Sequence, residues 1–292
     1  MKRSLRDARV LLTGATGGLG QALAEVLSQR GARLLLSGRR LDRLTELARS
    51  LQARTEVHVL CADLTRLEDR RALAETVADK WGALDVLINN AGLGARGLFE
   101  NSSPDVLRTL MEVNFFAPVE LTRAMLPLLA AGNRPMLVNI GSASGRRGFP
   151  IRAEYAASKF ALAGISEVLR AELAIHNIDV LLVSPGHIAT EFFRHFVANT
   201  TSTGRTGRRH ARGLPPAVAA ERIVRAIEGG RREVVFPFKI WLTLLVNRLM
   251  PWLLDFFAAR HCRKHYSTEA RLGRVQPNST QATASRSSDP AP

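Results

Sequence analysis

The chain has 292 residues, of which 46% are hydrophobic, and this length suits one large α/β domain with an appendage. That hydrophobic content supplies a large core and excludes a wholly disordered chain. Its two cysteines, Cys61 and Cys262, lie far apart and lack metal-ligand spacing. A disulfide framework and a zinc site are therefore excluded, no metal is expected, and a reducing compartment is indicated.

The net charge of +15 is concentrated late in the chain, since Arg205 to Arg274 contains 15 Lys/Arg against 5 Asp/Glu. Such a surplus suits nucleic acid, an anionic membrane surface or an acidic ligand, and a solvated arginine-rich surface explains it equally well. No aromatic-interleaved basic patch or helix-turn-helix pattern is present, so we expect no nucleic-acid partner. The basic start, Met1 to Arg6, lacks the apolar run of a secretory signal, and we expect a cytoplasmic protein.

Short apolar runs alternate with stretches of helical periodicity along the chain. The predicted strands are Val10–Leu12, Arg33–Ser37, Val57–Cys61, Val86–Ile88, Met136–Ile140 and Val180–Val183. The predicted helices are Gly18–Arg30, Leu41–Leu51, Arg66–Trp81, Pro104–Leu129 and Glu154–His176. Near-continuous apolar strands separated by helices indicate a parallel sheet covered on both faces. The sequence thus predicts an α/β fold, a single doubly wound (Rossmann-like) domain over residues 1–236, with ligands at the carboxyl ends of the strands.

Three segments depart from this alternation. Thr200–Gly213 is polar and rich in Gly and Arg, which predicts a mobile loop on the substrate side. Residues 237–265 predict a C-terminal apolar, amphipathic helical extension, and residues 266–292 a disordered tail dominated by Pro, Ser, Thr and Gln.

A glycine cluster follows the first predicted strand and opens the first predicted helix, in the form Thr13-Gly14-x-x-x-Gly18-x-Gly20. Glycines there let backbone amides approach a pyrophosphate at the positive helix N-terminus. With Asn89-Asn90-Ala91-Gly92 and Pro185-Gly186, this motif resembles the short-chain dehydrogenase/reductase family over about residues 8–235. The resemblance implies a nicotinamide cofactor contacted by the following residues: Gly14, Thr16, Gly18, Leu19, Gly20 and Asn90.

The end of the second strand bears on which cofactor is used. It reads Leu36-Ser37-Gly38-Arg39-Arg40, without the acid that holds the ribose 2′-hydroxyl of NAD. An arginine there suits a 2′-phosphate, so Arg39 favours NADP(H), although both arginines also fit solvated helix-start positions. The resemblance places Asp63 on the adenine and Thr190 on the nicotinamide, with a helix N-cap as the alternative role of each.

Tyr155 and Lys159 form a pair at i,i+4, which places both side chains on one face of the predicted helix. A nearby ammonium favours tyrosinate, so the spacing predicts a Tyr155 pKa below its usual value of about 10. Such a tyrosine exchanges a proton with a carbonyl or carbinol oxygen.

The resemblance adds two residues to this pair. Ser142, which lies 13 residues before Tyr155, would orient the substrate, with Ser144 as its competitor. Asn114 would hold a proton-relay water, or otherwise serve local packing. The four residues imply an NADP(H)-dependent oxidoreductase that interconverts a carbonyl and an alcohol on a small, hydrophobic or lipid-like substrate. A non-catalytic NADP-binding sensor or scaffold is the alternative, and a homo-oligomer, either a dimer or a tetramer, is expected.

Aromatic and basic residues follow the sixth strand. The aromatic residues, which suit an apolar pocket wall, are Phe192, Phe193 and Phe196. The arginines, which suit either an anionic head group or a solvated loop, are Arg205, Arg208, Arg209 and Arg212.

The segment Phe236–Phe257 is strongly apolar and contains Trp241 and Trp252. At helical spacing it carries one polar stripe: Thr243, Asn247, Pro251 and Asp255. That pattern fits a helix lying in a membrane interface through Trp241–Phe257, on the inner face of a membrane. A helix packed on the core or on another subunit fits it too.

Overall fold

The computed structural model describes residues 3–194, 196–198 and 213–273. Its strands are β1 (Arg9–Leu12), β2 (Arg33–Gly38), β3 (Val57–Cys61), β4 (Val86–Asn89), β5 (Ala95–Arg96), β6 (Met136–Ile140), β7 (Asp179–Pro185), β8 (Val197–Ala198) and β9 (Glu233–Phe236). Its helices are α1 (Gly18–Gln29), α2 (Leu41–Leu51), α3 (Leu67–Trp81), α4 (Pro104–Met111), α5 (Ala117–Ala130), α6 (Ala153–Glu172), α7 (Pro216–Glu228), α8 (Phe238–Leu249) and α9 (Pro251–Gly273).

Seven parallel strands form the main sheet in the order β3-β2-β1-β4-β6-β7-β9. The chain first moves outward from β1 to β2 and β3, then returns past β1 to β4 and onward to β9. The direction of winding therefore reverses between β1 and β4, where the connecting loops diverge and leave a crevice. β5 and β8 form a separate two-stranded parallel pair.

Each face of the sheet carries its own apolar cluster because successive strand side chains point to opposite faces. Leu12 and Leu34 face the layer built by α1, α2 and α7, and Leu11 and Leu35 face the layer built by α3 and α5. This arrangement confirms the predicted doubly wound α/β domain.

The structure differs from the predicted elements in the middle of the chain. The helix predicted over Pro104–Leu129 is interrupted by a π-helical turn at Glu112–Phe116. Pro118 has no N–H to donate to the carbonyl of Asn114 four residues earlier, and its ring crowds that carbonyl. The regular ladder therefore breaks at Asn114.

The C-terminal region differs as well. Sequence analysis missed β9, a strand of only four residues between two arginines and a proline. The extension predicted over residues 237–265 contains two helices, and the chain bends by 114° between them, beside Pro251. Helix α9 is described as far as Gly273, past the predicted boundary at residue 266, and the disordered tail stays a prediction. The predicted loop at 200–212 and the tail after 273 lie outside the described residues.

Candidate active site

A cavity of about 1460 Å³ opens at the carboxyl edge of the sheet, across the point where the winding reverses. It is lined by every predicted site residue except Asn114: Gly14, Thr16, Gly18, Leu19, Gly20, Arg39, Asp63, Asn90, Ser142, Tyr155, Lys159 and Thr190. The structure thus brings residues spread over most of the domain to one space.

The glycine loop forms one wall of this cavity. Gly14 has φ +62°, and a Cβ there would lie 2.8 Å from Cα of Ala91. A Cβ on Gly18 would lie 2.9 Å from Cγ2 of Thr190, and one on Gly20 would lie 2.2 Å from the carbonyl oxygen of Gly14. Only glycine fits at these positions, so the loop keeps its backbone amides open to the cavity at the N-terminus of α1.

Asn90 ties the glycine loop to the loop that follows β4. Its Nδ2 donates to the carbonyl oxygens of Thr13 (3.0 Å) and Gly14 (3.1 Å). The hydroxyl of Thr13 accepts from the backbone amides of Asn90 and Ala91. The side chain of Asn90 therefore shapes the cradle from behind.

The end of β2 presents arginine to the same cavity. Arg39 is exposed at its rim, and Asp63 lies within its electrostatic reach. Burial raises the pKa of Asp63, but hydrogen bonds from Thr65 and the charge of Arg39 outweigh burial and leave the pKa lowered. Ser37, which sequence analysis missed, lines this end with a fully buried hydroxyl that has no hydrogen-bond partner in the described part of the chain.

Thr190 caps a short helical turn beside the cavity, which is the second of its two predicted roles. Its hydroxyl accepts from the amide of Phe192 at 3.4 Å, at the start of the 3-10 turn Glu191–Arg194. The same side chain packs against Gly18 at the cavity wall. It therefore joins the segment after β7 to the glycine loop.

Tyr155 lies on α6 and is 8% exposed. Burial raises its pKa, and the hydrogen bond with Ser142 and the charge of Arg152 oppose that rise without reversing it. The predicted lowering of this pKa by Lys159 is wrong in direction. The phenol is desolvated, and the ammonium is bonded elsewhere.

Lys159 lies one turn further along α6, 5% exposed, and its Nζ donates to the carbonyl oxygen of Ile140 at 2.9 Å. Burial lowers its pKa to about 8. The ammonium therefore lies at the end of β6, inside the cavity, close to its titration range at physiological pH.

Asn114 lies behind this group. Its Oδ1 accepts from the amide of Leu93 (2.8 Å), and its Nδ2 donates to the carbonyl of Leu93 and to Oγ of Ser158 (2.9 Å each). A Cβ on Gly92 would lie 3.0 Å from Oδ1 of Asn114 and 3.5 Å from Nζ of Lys159. The two polar groups thus flank one small space beside Gly92.

Two further residues support Tyr155 and were missed. Ser158 accepts from Asn114 and donates to the carbonyl of Tyr155 at 2.9 Å, and Arg152 contributes positive potential at the phenol. Because Ser158 lies three residues after Tyr155, helical spacing could have identified it as a neighbour of Tyr155. Ser144, the competitor of Ser142, donates its backbone amide to the Ser142 hydroxyl at 3.1 Å and so supports it.

Aromatic and polar side chains line the cavity next to Tyr155. Phe192 packs between Tyr155 and Phe196, with ring centroids 6.3 Å and 5.9 Å away. The C-terminal helices add lining residues that sequence analysis did not assign to the site: Ile240, His261 and Tyr266. The side chain of Phe193 and the loop arginines lie outside the described residues.

This geometry defines a class of protein. A glycine cradle at a helix N-terminus, next to a buried tyrosine and lysine and a half-buried serine at the carboxyl edge, is a site for oxidoreduction on a dinucleotide fold. The chain belongs to the short-chain dehydrogenase/reductase family, whose model "short chain dehydrogenase" matches residues 8–201.

Curated relatives agree with this assignment. The chain is 36% identical over 273 residues to dehydrogenase/reductase SDR family member 7B of Bos taurus, covering 90% of this chain and 84% of the relative. It is 35% identical over 272 residues to dehydrogenase/reductase SDR family protein 7-like of Drosophila melanogaster, covering 90% and 82%.

Solved structures share the fold. A short-chain dehydrogenase from Streptomyces avermitilis matches with a TM-score of 0.73 and 28% identity, covering 91% of this chain and 98% of that one. A short chain dehydrogenase/reductase from Burkholderia phymatum in complex with NAD matches with a TM-score of 0.78, 24% identity and coverage of 86% and 96%. An alcohol dehydrogenase from Thermococcus sibiricus complexed with 5-hydroxy-NADP matches with a TM-score of 0.69, 24% identity and coverage of 78% and 95%.

Among the described residues, no single helix has the length and apolar character needed to cross a membrane. The bent pair Phe238–Leu249 and Pro251–Tyr266 meets those requirements only when the two helices are taken together.

Proposed function

We propose that the protein is an NADP(H)-dependent oxidoreductase that interconverts a carbonyl and an alcohol on a small hydrophobic substrate. The observation that carries the proposal is the buried set of Tyr155, hydrogen-bonded to Ser142, and Lys159, in one cavity with the glycine cradle. A bound nicotinamide would supply or accept the hydride.

The cavity fits such a cofactor. The cradle around Gly14 and Gly18 excludes even a methyl group, which suits close approach of a pyrophosphate to backbone amides. Arg39, Asp63 and the buried hydroxyl of Ser37 would hold the adenosine end. Thr190 and Lys159 would hold the nicotinamide end.

In the reductive direction, Tyr155 donates its phenolic proton to the substrate oxygen, and Ser142 hydrogen-bonds the same oxygen. Tyr155 is protonated at neutral pH, as a general acid must be, and the hydrogen bond with Ser142 and the charge of Arg152 offset part of the pKa rise that burial causes. In the oxidative direction, Tyr155 starts as the phenolate, which Lys159 and Arg152 stabilise, and becomes the neutral phenol when it accepts the proton of the carbinol.

Asn114 contributes to proton supply. The side chain of Asn114 is hydrogen-bonded to Leu93 and Ser158. The backbone carbonyl of Asn114 lacks its usual helical donor, because Pro118, four residues later, has no N–H. That carbonyl is the part of Asn114 that we assign to a relay water connecting Lys159 to solvent.

The test of this mechanism is Tyr155→Phe, which keeps the ring and removes the proton donor. We expect NADPH-dependent reduction of a panel of ketones and aldehydes to fall about 10²- to 10⁴-fold, with NADPH binding retained. Undiminished turnover would overturn the mechanism. Cofactor binding by the wild type, without turnover of any member of the panel, would favour a sensor or scaffold.

Cofactor preference rests on Arg39 and on the absence of an acid between Leu36 and Arg40. Arg39→Ala should raise the dissociation constant of NADPH about tenfold or more, by loss of a charge-assisted contact, and change that of NADH little. Equal losses for the two nucleotides would contradict NADP(H) preference.

Membrane contact is proposed for the C-terminal helices. Their large apolar side chains are exposed, among them Trp241, Leu249, Trp252 and Phe257, and Arg260, Arg263 and Lys264 follow on α9. Apolar side chains flanked by cations suit the interface of an anionic bilayer, which would place a cytoplasmic enzyme on the inner face of a membrane. Co-sedimentation with phosphatidylserine vesicles should fall when Trp241 and Trp252 are both changed to Ser, and an unchanged bound fraction would remove the idea.

A homo-oligomer, dimer or tetramer, is proposed on the helices near Tyr155. Phe116, Phe160 and Val168 are large apolar residues exposed along the α5 end and α6. Sedimentation velocity should show a dimer or tetramer. If the Phe160→Asp variant forms an oligomer of the same mass as the wild type, this surface is not the subunit interface.

A further inference from the structure

The bent pair α8–α9 forms part of the cavity although α8 has no buried side chain. Ile240 from α8 and His261 and Tyr266 from α9 line the same cavity as Tyr155 and Phe192. A helix without a buried face gains little from the core, so its position depends on a few specific contacts.

One of those contacts lies under α8. A Cβ on Gly186, in the turn after β7, would lie 2.7 Å from Cγ1 of Ile240. Glycine there lets α8 approach the backbone at the edge of the sheet, and it places Ile240 at the cavity wall.

A second contact is made by Arg147, which lies in the segment between Ser142 and Tyr155. Its Nη1 donates to Oδ1 of Asn247 on α8 at 2.6 Å, and its Nη2 to Oδ1 of Asp255 on α9 at 2.5 Å. One planar guanidinium thus holds both helices across their bend, a geometry that a lysine does not reproduce. Two members of the polar stripe predicted from the sequence face the protein at this point.

Arg147 is itself anchored in the catalytic segment. Its backbone amide donates to the carbonyl of Ala143 at 3.0 Å, next to Ser142, and its side chain is 15% exposed. A Cβ on Gly145 would lie 2.5 Å from the carbonyl oxygen of Lys159, so this segment packs directly on α6. The backbone that places Ser142 and Lys159 therefore also fixes the position of Arg147.

We propose that Arg147 is a positioning residue that holds the α8–α9 pair as the substrate-selecting wall of the cavity. The wall contacts the part of the substrate remote from its reacting oxygen, through one aliphatic and two polar ring side chains. Arg147 acts through the wall and does not touch the reacting atoms. The inference deepens the proposed reductase function and rests on it for its kinetic prediction.

The neighbouring Arg146 is a matched control. Its guanidinium pairs with Glu167 on α6 and with Glu233 on β9, at 2.8 Å for the latter, and not with α8 or α9. Loss of either arginine removes one cation and two polar contacts from the same segment, but only Arg147 joins that segment to the helix pair.

The experiment compares full-length Arg147→Ala and Arg146→Ala by hydrogen exchange and by NADPH-dependent reduction of two ketones, one short and one long-chained. Because exposed or half-exposed ion pairs are weak, we expect Arg147→Ala to fold and to speed amide exchange in α8 about five- to tenfold. Its KM for the long ketone should rise about fivefold with kcat nearly unchanged, and the short ketone should be unaffected. Arg146→Ala should show none of these changes.

A second variant removes the partners and leaves Arg147. Asn247→Ala combined with Asp255→Ala changes α8 and α9 alone and should reproduce the faster exchange and the KM rise. Arg147→Asp combined with Asp255→Arg should recover part of the exchange protection. Equal exchange in the two arginine variants, or equal KM changes for the two ketones, would overturn the proposal. Exchange needs no turnover, so absence of reduction in the wild type counts against the proposed function alone.

Discussion

The two ends of the cavity are built differently. At the catalytic end, Tyr155 and Lys159 are 8% and 5% exposed and are held by the sheet edge and α6. At the end proposed to receive the substrate, Trp241 and Phe238 on α8 are 46% and 69% exposed, and the contacts that hold the helix include those with Arg147 and Gly186. The difference indicates that the core fixes the groups proposed for the chemistry, whereas the wall proposed to select the substrate can change without unfolding the domain.

The largest expected effect tests the end of the cavity that holds the glycine loop, Tyr155 and Lys159, which we call the rigid end. Gly14→Ala should lower the free energy of unfolding by about 1–3 kcal/mol, because alanine is strained at φ +62° and its methyl group would lie 2.8 Å from Cα of Ala91. Displacement of the cradle should also weaken NADPH binding by about 10²-fold, since the amides lose their alignment. Urea denaturation and fluorescence titration with NADPH measure the two losses.

Gly82→Ala is the control for that variant. Gly82 has φ +66°, but a Cβ there meets nothing within 4 Å, and the residue ends α3 away from the cavity. It should lose stability through backbone strain alone and bind NADPH normally. Normal NADPH binding by Gly14→Ala would show that the glycine loop tolerates displacement, and the contrast between the two ends would weaken.

The rigid end was largely predictable from sequence because its signals are local. Tyr155 and Lys159 share a helix face, and Gly14 to Gly20 sit between a strand and a helix, so spacing alone places them. The roles of Ser142 and Asp63 came from the family resemblance, and their positions just after strands fit it, because the carboxyl ends of parallel strands meet at one edge.

The substrate end was not predictable because its contacts join distant parts of the chain. Nothing near Arg147 indicates a partner at position 255, and nothing near His261 indicates a cavity. The direction of the Tyr155 pKa also required the structure, because spacing reports that Lys159 is near but not that Ile140 takes its ammonium or how far burial desolvates the phenol.

An intermediate effect concerns pH at the rigid end. The pKa of Lys159 is lowered to about 8 by burial, so its side chain is charged below that pH and neutral above it. Reduction at saturating NADPH should fall about tenfold as the pH rises through 8, since a neutral Lys159 has no proton to pass on through the proposed relay. Initial rates between pH 6 and about 10 measure the profile.

Lys159→Arg separates this titration from others. A guanidinium stays charged over the whole range, so the variant should have lower activity but no inflection near pH 8. An inflection that persists in the variant would assign the titration to another group.

The smallest expected effect tests the end of the cavity formed by α8 and α9, which we call the adjustable end, without changing Arg147 or its partners. Gly186→Ala places a methyl group 2.7 Å from Cγ1 of Ile240 and 3.1 Å from Cδ of Pro237, so α8 must shift outward by a small distance. Because α8 has no buried side chain, the shift should cost little stability and should raise KM for a long-chain ketone about two- to fourfold with kcat retained. Gly148→Ala, in the catalytic segment with nothing within 4 Å of its Cβ, is the matched control and should leave both constants unchanged. A loss of kcat in Gly186→Ala, with KM retained, would mean that the contact under Ile240 belongs to the rigid end, and the boundary between the two ends would move to α8 itself.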